Sequence, residues 1–276
     1  MDIIQAIIIG LVQGLTEFLP VSSSAHLIFA QQFLGVTEPS LAFDVLLHLG
    51  TLVAVVGYFF KDIVRMIIAF FKSLTDIVKG RFKSEIKRDP YKKLAWFTIL
   101  ATIPVGIAGI VFDDLVESLF TGITLPAFFL LITGCLLFAS QRMNTGKINI
   151  DEINWKEALI LGCGQACALL PGLSRSGTTI ATGLLLDLDK EFAAKFSFIL
   201  SIPAILGATV IQLKDVSITN VELTAWIAGF AIAAISGYLA IKFLLKLIKE
   251  RSLDVFAYYC WIIGIIILVA TIFFGM

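Results

Sequence analysis

The chain has 276 residues, 58% of them hydrophobic and 15% charged, with a formal net charge of zero. A soluble domain carries roughly 25% charged residues, so this deficit, with a mean hydropathy of +0.96, puts the chain in a bilayer. Zero net charge gives no basis for a nucleic-acid partner. The four cysteines sit in apolar stretches without the CxxC spacing of a zinc or redox site.

In chain order, the first apolar region covers 3–34 and carries no basic n-region, since the first Lys or Arg is Lys61. It therefore reads as part of the mature fold, not as a cleaved signal. It is interrupted by FLPVSSS (Phe18 to Ser24). Proline removes a backbone donor and clashes with the preceding turn, so the region is expected to form two short helices joined by a polar tip. A span at 43–60 follows, then a basic stretch whose 62–80 segment has apolar and basic residues at helical spacing and is expected to lie on the inner membrane surface. Further spans are expected at 92–112 and 122–140. A second broken region, 157–187, is interrupted by LLPGLSRSGTT (Leu169 to Thr179), and spans at 192–212, 222–245 and 255–275 complete the chain.

The fold class is thus an all-α integral membrane protein: six transmembrane helices plus two helical hairpins that re-enter the bilayer. Broken backbone at membrane depth is tolerated where it is buried in protein or lines a wet cavity. The 61–93 segment carries ten Lys and Arg, while 113–121 carries none and has Asp113, Asp114 and Glu117. Basic residues recur in 141–156 and 246–254. The positive-inside rule then makes 61–93, 141–156 and 246–254 cytoplasmic and puts both termini outside.

The sequence also matches itself on a shift of 152 positions. Gly10-x-x-Gln13 falls on Gly162-x-x-Gln165, Ser22-Ser23-Ser24 on Ser174-Arg175-Ser176, and His26 on Thr178. One position further, the segment from Phe43 falls on that from Phe196. Each copy holds one hairpin and three spans, an odd number that inverts the second copy relative to the first. The expectation is a single membrane domain of two inverted repeats, about 1–140 and 155–276, with its site at their interface near the midplane.

Glu17 lies in the first hairpin. Arg175, the only Lys or Arg between Lys156 and Lys190, lies in the second. A charge at the bilayer centre costs roughly 2.5–3.5 kcal/mol on insertion scales, so the two are expected to meet each other, water or a ligand. A purely structural ion pair would leave the surrounding hydroxyls unexplained. Gln13 and Glu17 share a helix face. Ser22, Ser23 and Ser24 suit the N-terminus of a helix running to about Leu34, and Ser174 and Ser176 that of one running to about Leu186. Two helix N-termini with a guanidinium between them form an anion site. Thr178 and Thr179 add hydroxyls. Glu17, which repels phosphate, makes sense as a general base or as the ligand of a divalent cation. His26 could protonate a leaving group or attack phosphorus. His48, inside an apolar span, reads as structural or supporting.

QGLTEFLPVSSSAH (Gln13 to His26) and PGLSRSGTT (Pro171 to Thr179) closely resemble the two signature motifs of the undecaprenyl-diphosphate phosphatase family, also called bacitracin-resistance proteins. The resemblance in length, order and span layout covers essentially the whole chain. It implies a membrane enzyme that hydrolyses a polyprenyl diphosphate to the monophosphate and inorganic phosphate, depends on Mg²⁺ or Ca²⁺, and opens its site to the outer side. Matched position by position, it implies Glu17, Ser23, His26 and Arg175 as catalytic. Gln13, Ser22, Ser174, Arg175, Ser176 and Thr179 are implied to bind phosphate, and Glu17 to bind metal. Many members carry Glu at the first motif position. Gln13 can serve neither as an anionic base nor as a strong cation ligand, so Glu17 would do both jobs and a two-carboxylate metal scheme is not expected. Ser23 is the preferred nucleophile, with Glu17 or His26 as its base; attack by His26 or directly by water stays open. A secondary transporter of lipid phosphate or a small anion would share the inverted repeat and midplane anion site; a structural scaffold would tolerate neutral substitutions at the tips. The small-residue face Gly229, Ala233, Gly237 suits packing within the chain or between two copies in a homodimer.

Overall fold

The computed structural model describes residues 1–36, 41–119, 122–212 and 223–274. The helices among them are α1 (Ile3–Phe18), α2 (Ser23–Phe33), α3 (Leu41–Tyr58), α4 (Phe60–Val78), α5 (Phe82–Arg88), α6 (Pro90–Val111), α7 (Asp113–Leu119), α8 (Thr124–Met143), α9 (Trp155–Cys167), α10 (Arg175–Leu185), α11 (Lys190–Gln212), α12 (Leu223–Glu250) and α13 (Asp254–Phe274). Six of these, α3, α6, α8, α11, α12 and α13, are long and apolar enough to cross a membrane. They fall on the six expected spans. The first residue of the 222–245 expectation and the last of 255–275 lie outside the described residues. Helix α12 runs past 245 to Glu250 because Lys246, Lys249 and Glu250 continue the helix after the apolar stretch has ended. Ile99, Ile103, Ile107 and Ile110 form an exposed apolar stripe along α6, as a lipid-facing surface requires.

Both expected breaks are present. Helix α1 starts at a capping box, in which Asp2 accepts from the Gln5 N–H and the Gln5 side chain from the Asp2 N–H. It stops because Pro20 drives Leu19 into an extended conformation (φ −70°, ψ 142°). Helix α9 starts at the same kind of box, Asn154 with Glu157. Ser22 caps α2 and Ser174 caps α10. Past their C-termini, Gly35 (φ 66°) and Asp187 (φ 66°) are both left-handed. Asp187 also accepts from the Thr145 and Gly146 N–H groups, tying the segment after α8 to the end of α10.

The broken helices are clamped by spans distant in sequence. Helix α1 lies along α12, α9 along α6, α3 against α11 and α12, and α8 against α13. Glycine permits the closest of these approaches: a Cβ on Gly10 would run into the Gly229 carbonyl, and one on Gly162 into the Ala101 backbone. The Gly229, Ala233, Gly237 face is therefore filled inside the molecule, by α1 and α3. Amphipathic α4 docks on α6 through the Asp76–Lys92 pair at 2.6 Å and a Trp96 Nε1–H to Ser73 Oγ bond at 2.8 Å. Ile67, Ile68, Phe71 and Leu74 on α4 stay exposed.

Candidate active site

The site forms where the two polar tips meet. After Pro20 the chain turns at Ser22, whose φ of 69° is left-handed, a conformation that costs a non-glycine residue about 1–3 kcal/mol. Ser22 Oγ accepts the Ala25 N–H at 3.3 Å and pairs with Ser24 Oγ at 3.2 Å. In the other tip, Gly172 (φ 95°) packs where a Cβ would strike the Pro126 backbone. Ser174 Oγ there accepts the Gly177 N–H at 3.0 Å. The tips also hold each other: Ser176 Oγ donates to the Leu19 carbonyl at 2.9 Å, and the Gly172 N–H to Ser24 Oγ at 3.2 Å.

At their junction Arg175 Nη2 donates to Glu17 Oε1 at 2.6 Å. The other oxygen, Glu17 Oε2, accepts from Ser23 Oγ at 2.7 Å and from Gln13 Nε2 at 2.9 Å. Glu17 is 6% exposed, and its carboxylate is satisfied by three donors from three sites in the chain. Arg175 Nη1 reaches the Ser197 carbonyl at 3.4 Å, and Thr179 Oγ1 donates to the Arg175 carbonyl at 2.7 Å. These bonds set the arginine's position from behind.

Glu17, Ser22, Ser23, Ser24, His48, Gln165 and Arg175 line a cavity of about 350 Å³, whose remaining walls come largely from α6 and α11. Of the residues expected from sequence, Glu17, Ser22, Ser23 and Arg175 thus meet at one hollow, with Gln13 behind Glu17. Ser174, Ser176 and Thr179 do not line it; their hydroxyls are bonded within the protein and shape the tip that carries Arg175. His26 also faces elsewhere. Its Nδ1 donates to the Ser22 carbonyl at 2.8 Å, and its Nε2 meets Tyr259 Oη on α13 at 2.8 Å, with the two rings stacked. Ser24, His48 and Gln165 line the cavity although none of them is assigned to the site from sequence. The Nε2 of His48 lies 3.8 Å from Glu17 Oε2, and its Nδ1 donates to the Asp44 carbonyl at 2.8 Å. Gln165 had one signal, its match to Gln13 in the internal repeat.

The sequence profile of one family, bacitracin resistance protein BacA, matches residues 6–266. The chain belongs to the BacA family. Its relatives include an undecaprenyl-diphosphatase of Methanobrevibacter smithii, 65% identical with 99% of each chain covered. An undecaprenyl-diphosphatase of Methanosphaera stadtmanae is 48% identical with 99% of each covered, and one of Halothermothrix orenii is 42% identical with 98% of each covered. Among the described residues of this BacA-family chain, no group of three or more His, Cys, Asp or Glu is placed to hold a metal. Among the described residues Glu17 is the sole carboxylate on the cavity wall, and the buried Gln13 Oε1 beside it has no hydrogen-bond partner. Mg²⁺ is commonly held by one or two carboxylates together with substrate phosphates. These residues fit a cation shared with a bound diphosphate and do not fit an all-protein cage.

Proposed function

We propose that the chain is an undecaprenyl-diphosphatase that hydrolyses the lipid diphosphate to undecaprenyl phosphate and inorganic phosphate. It would thereby recycle the lipid carrier of cell-wall synthesis and confer bacitracin resistance. The names of its relatives support this reading, and one observation carries it: a carboxylate, a hydroxyl and a guanidinium converge on one cavity wall between two helix N-termini. That cavity shares Thr102 and Pro203 with an apolar groove of about 540 Å³ between α4, α6 and α11. A polar pocket continuous with an apolar groove suits a diphosphate that carries a prenyl tail.

The chemistry follows from the bonds. Ser23 donates its hydroxyl proton to Glu17 Oε2 at 2.7 Å, the arrangement of a nucleophile and its base. Ser23 is also the first residue of α2, where the helix dipole favours a developing alkoxide. Its oxygen forms a bond to the terminal phosphorus, the bond from that phosphorus to the bridging oxygen breaks, and the lipid monophosphate leaves. Glu17 passes the Ser23 proton to the departing monophosphate, then takes one from a water that attacks the phosphorus; the bond from phosphorus to Ser23 Oγ breaks, inorganic phosphate leaves, and Glu17 returns the proton to Ser23 Oγ. Arg175 stabilises charge on the transferred group. Ser23 is favoured over His26 because both ring nitrogens of His26 are engaged away from the cavity. A divalent cation would be held by Glu17 together with the substrate phosphates and would supply charge withdrawal from the diphosphate.

The same reading includes re-entrant hairpins in an inverted repeat of about 1–140 and 155–276. Its support is the shift of 152: α2 (Ser23–Phe33) and α10 (Arg175–Leu185) coincide on it, as do their serine caps, the Asp2 and Asn154 capping boxes, and left-handed Gly35 and Asp187. Packing of α1 on α12 mirrors that of α9 on α6. The basic segments face the cytoplasm, both termini lie outside, and the cavity opens outward. The test is phosphate release by purified protein in detergent from lipid diphosphates of several tail lengths, with and without chelator. Release that rises with tail length and falls with chelator is expected. Absence of release would favour a transporter, which needs two compartments.

A further inference from the structure

We propose that Gln165 is a phosphate-binding residue, its Nε2–H donating to an oxygen of the bound diphosphate; the inference rests on the phosphatase reading above. Gln165 lies in the last turn of α9, is 1% exposed, and lines the same cavity as Glu17, Ser23 and Arg175. Among the described residues neither its Nε2 nor its Oε1 has a hydrogen-bond partner. About nine in ten buried polar groups do have one, so a fully buried amide with both ends unpaired in a cavity wall requires an explanation.

The internal repeat supplies it. Gln13, 152 positions earlier, donates its Nε2–H to Glu17, one turn along α1. The position equivalent to Glu17 in the second half is Leu169, which also lines the cavity. Leu169 offers no acceptor, so the amide that orients a carboxylate in the first half is unclaimed in the second. The residues that follow it in the chain and line the same cavity, Ala168, Leu169 and Leu173, are apolar. Packing alone would be served there by Met or Leu. A carboxamide adds two N–H donors without charge, so it binds phosphate oxygens without competing with Arg175 for Glu17.

The test compares wild type with Gln165→Met, which keeps length and removes both polar atoms, and Gln165→Glu, which turns a carboxylate toward phosphate. Two readouts are needed: kcat/KM for lipid diphosphate, and melting temperature in detergent with and without inorganic pyrophosphate. Loss of a hydrogen bond to a charged group predicts a fall of about ten- to a hundredfold in kcat/KM for Gln165→Met. The fall should be larger for Gln165→Glu. The ligand-free Gln165→Met protein should melt no lower than wild type, because an unsatisfied buried amide has gone, and its stabilisation by pyrophosphate should shrink. Gln165→Met within about threefold of wild type in kcat/KM, with the pyrophosphate shift intact, overturns the proposal. A ligand-free melting point several degrees lower with unchanged KM does so too, because that is the mark of a packing role. Wild type that releases no phosphate would instead defeat the phosphatase reading. In that case a pyrophosphate shift lost in Gln165→Met would still support an anion-binding Gln165.

Discussion

Removing either partner of the Glu17–Arg175 pair should abolish turnover, yet the two losses should differ sharply in stability. In Arg175→Ala the carboxylate, 6% exposed, loses its only bond from a charged donor and keeps Ser23, Gln13 and the more distant His48. Breaking a buried ion pair from one side costs about 3–5 kcal/mol, because a charge is left without its partner. The remaining neutral donors place this case at the lower end. Glu17→Gln leaves no such charge behind, and its neighbours can adapt. With its carbonyl turned to Arg175, the new amide N–H₂ faces Ser23 and Gln13. Ser23 can rotate its hydroxyl to accept, and Gln13 can turn over to present its unpartnered Oε1. One charge-assisted bond becomes a neutral one, worth about 1 kcal/mol. With about 2 kcal/mol of coupling, the double variant should lose about 2 kcal/mol where the singles sum to about 4, and so be about 1 kcal/mol more stable than Arg175→Ala alone. The assay is denaturant-induced unfolding in mixed micelles for the four proteins, beside phosphate release. Arg175→Ala and Glu17→Gln equal in stability, or a double variant whose loss is the sum of the singles, would refute the claim that this pair is buried and mutually compensating.

Ser23→Ala should lose at least about 10³-fold in phosphate release if Ser23 is the attacking group; a loss under about tenfold, 1.4 kcal/mol, would point to water. Arg175→Lys should insert and melt near wild type while losing most activity, as judged by the same two assays, because an ammonium keeps the charge but not the planar fork. Gly10→Ala should destabilise by about 1–3 kcal/mol, since its Cβ meets the Gly229 carbonyl and backbone cannot yield. In contrast, Gly57→Ala, on open surface in α3, should stabilise by about 0.4–1 kcal/mol; thermal melts of both check the contrast. The hydrogen bond from Lys92 holds the Asp76 carboxyl below its usual range, with Arg81 assisting. A depressed folded-state value means that this contribution is complete above the ordinary aspartate pKa of about 3.9 and is lost as pH falls through the lower folded value. Proteolysis of the 79–89 connection should therefore accelerate in acid for wild type and show no such step for Asp76→Asn.

What was legible in the sequence was mostly local. Pro20 ends a helix by its own geometry, Ser22 and Ser174 cap the helices beside them, and six spans follow from apolar length. The meeting of Glu17 with Arg175, 158 residues apart, was legible for a different reason: two charges in an apolar chain must find each other or water. The rest depends on rotation about helix axes and on partners far along the chain. His48 sits one turn from Asp44 in an unbroken apolar span, and nothing in that run says which face meets Glu17. His26 is turned away by Tyr259, 233 residues on. Ser174, Ser176 and Thr179 carry the right chemistry for phosphate but point into the tip because Gly177, Leu19 and Arg175 offer backbone partners there. Residue type alone does not distinguish a hydroxyl that faces a ligand from one that shapes the loop behind it.

The arrangement would also explain how a carboxylate can stand beside the proposed phosphate site at all. A diphosphate brought next to Glu17 meets like-charge repulsion in a medium where little water screens it. Arg175 has five N–H donors in a planar fork. One reaches Glu17 at 2.6 Å and another reaches a main-chain carbonyl at a long 3.4 Å. The remaining donors are not claimed by these bonds, so the same guanidinium can hold Glu17 and a phosphate oxygen at once and neutralise both. Glu17 can then stay bound to Arg175 while accepting the Ser23 proton on its other oxygen, Oε2, which already carries that hydrogen bond. On the reading proposed above, the two oxygens of one carboxylate would take separate tasks: Oε1 anchors the second tip to the first, and Oε2 would receive the proton. That division works only while the tips remain locked together, and the Ser176–Leu19 and Gly172–Ser24 bonds supply the lock.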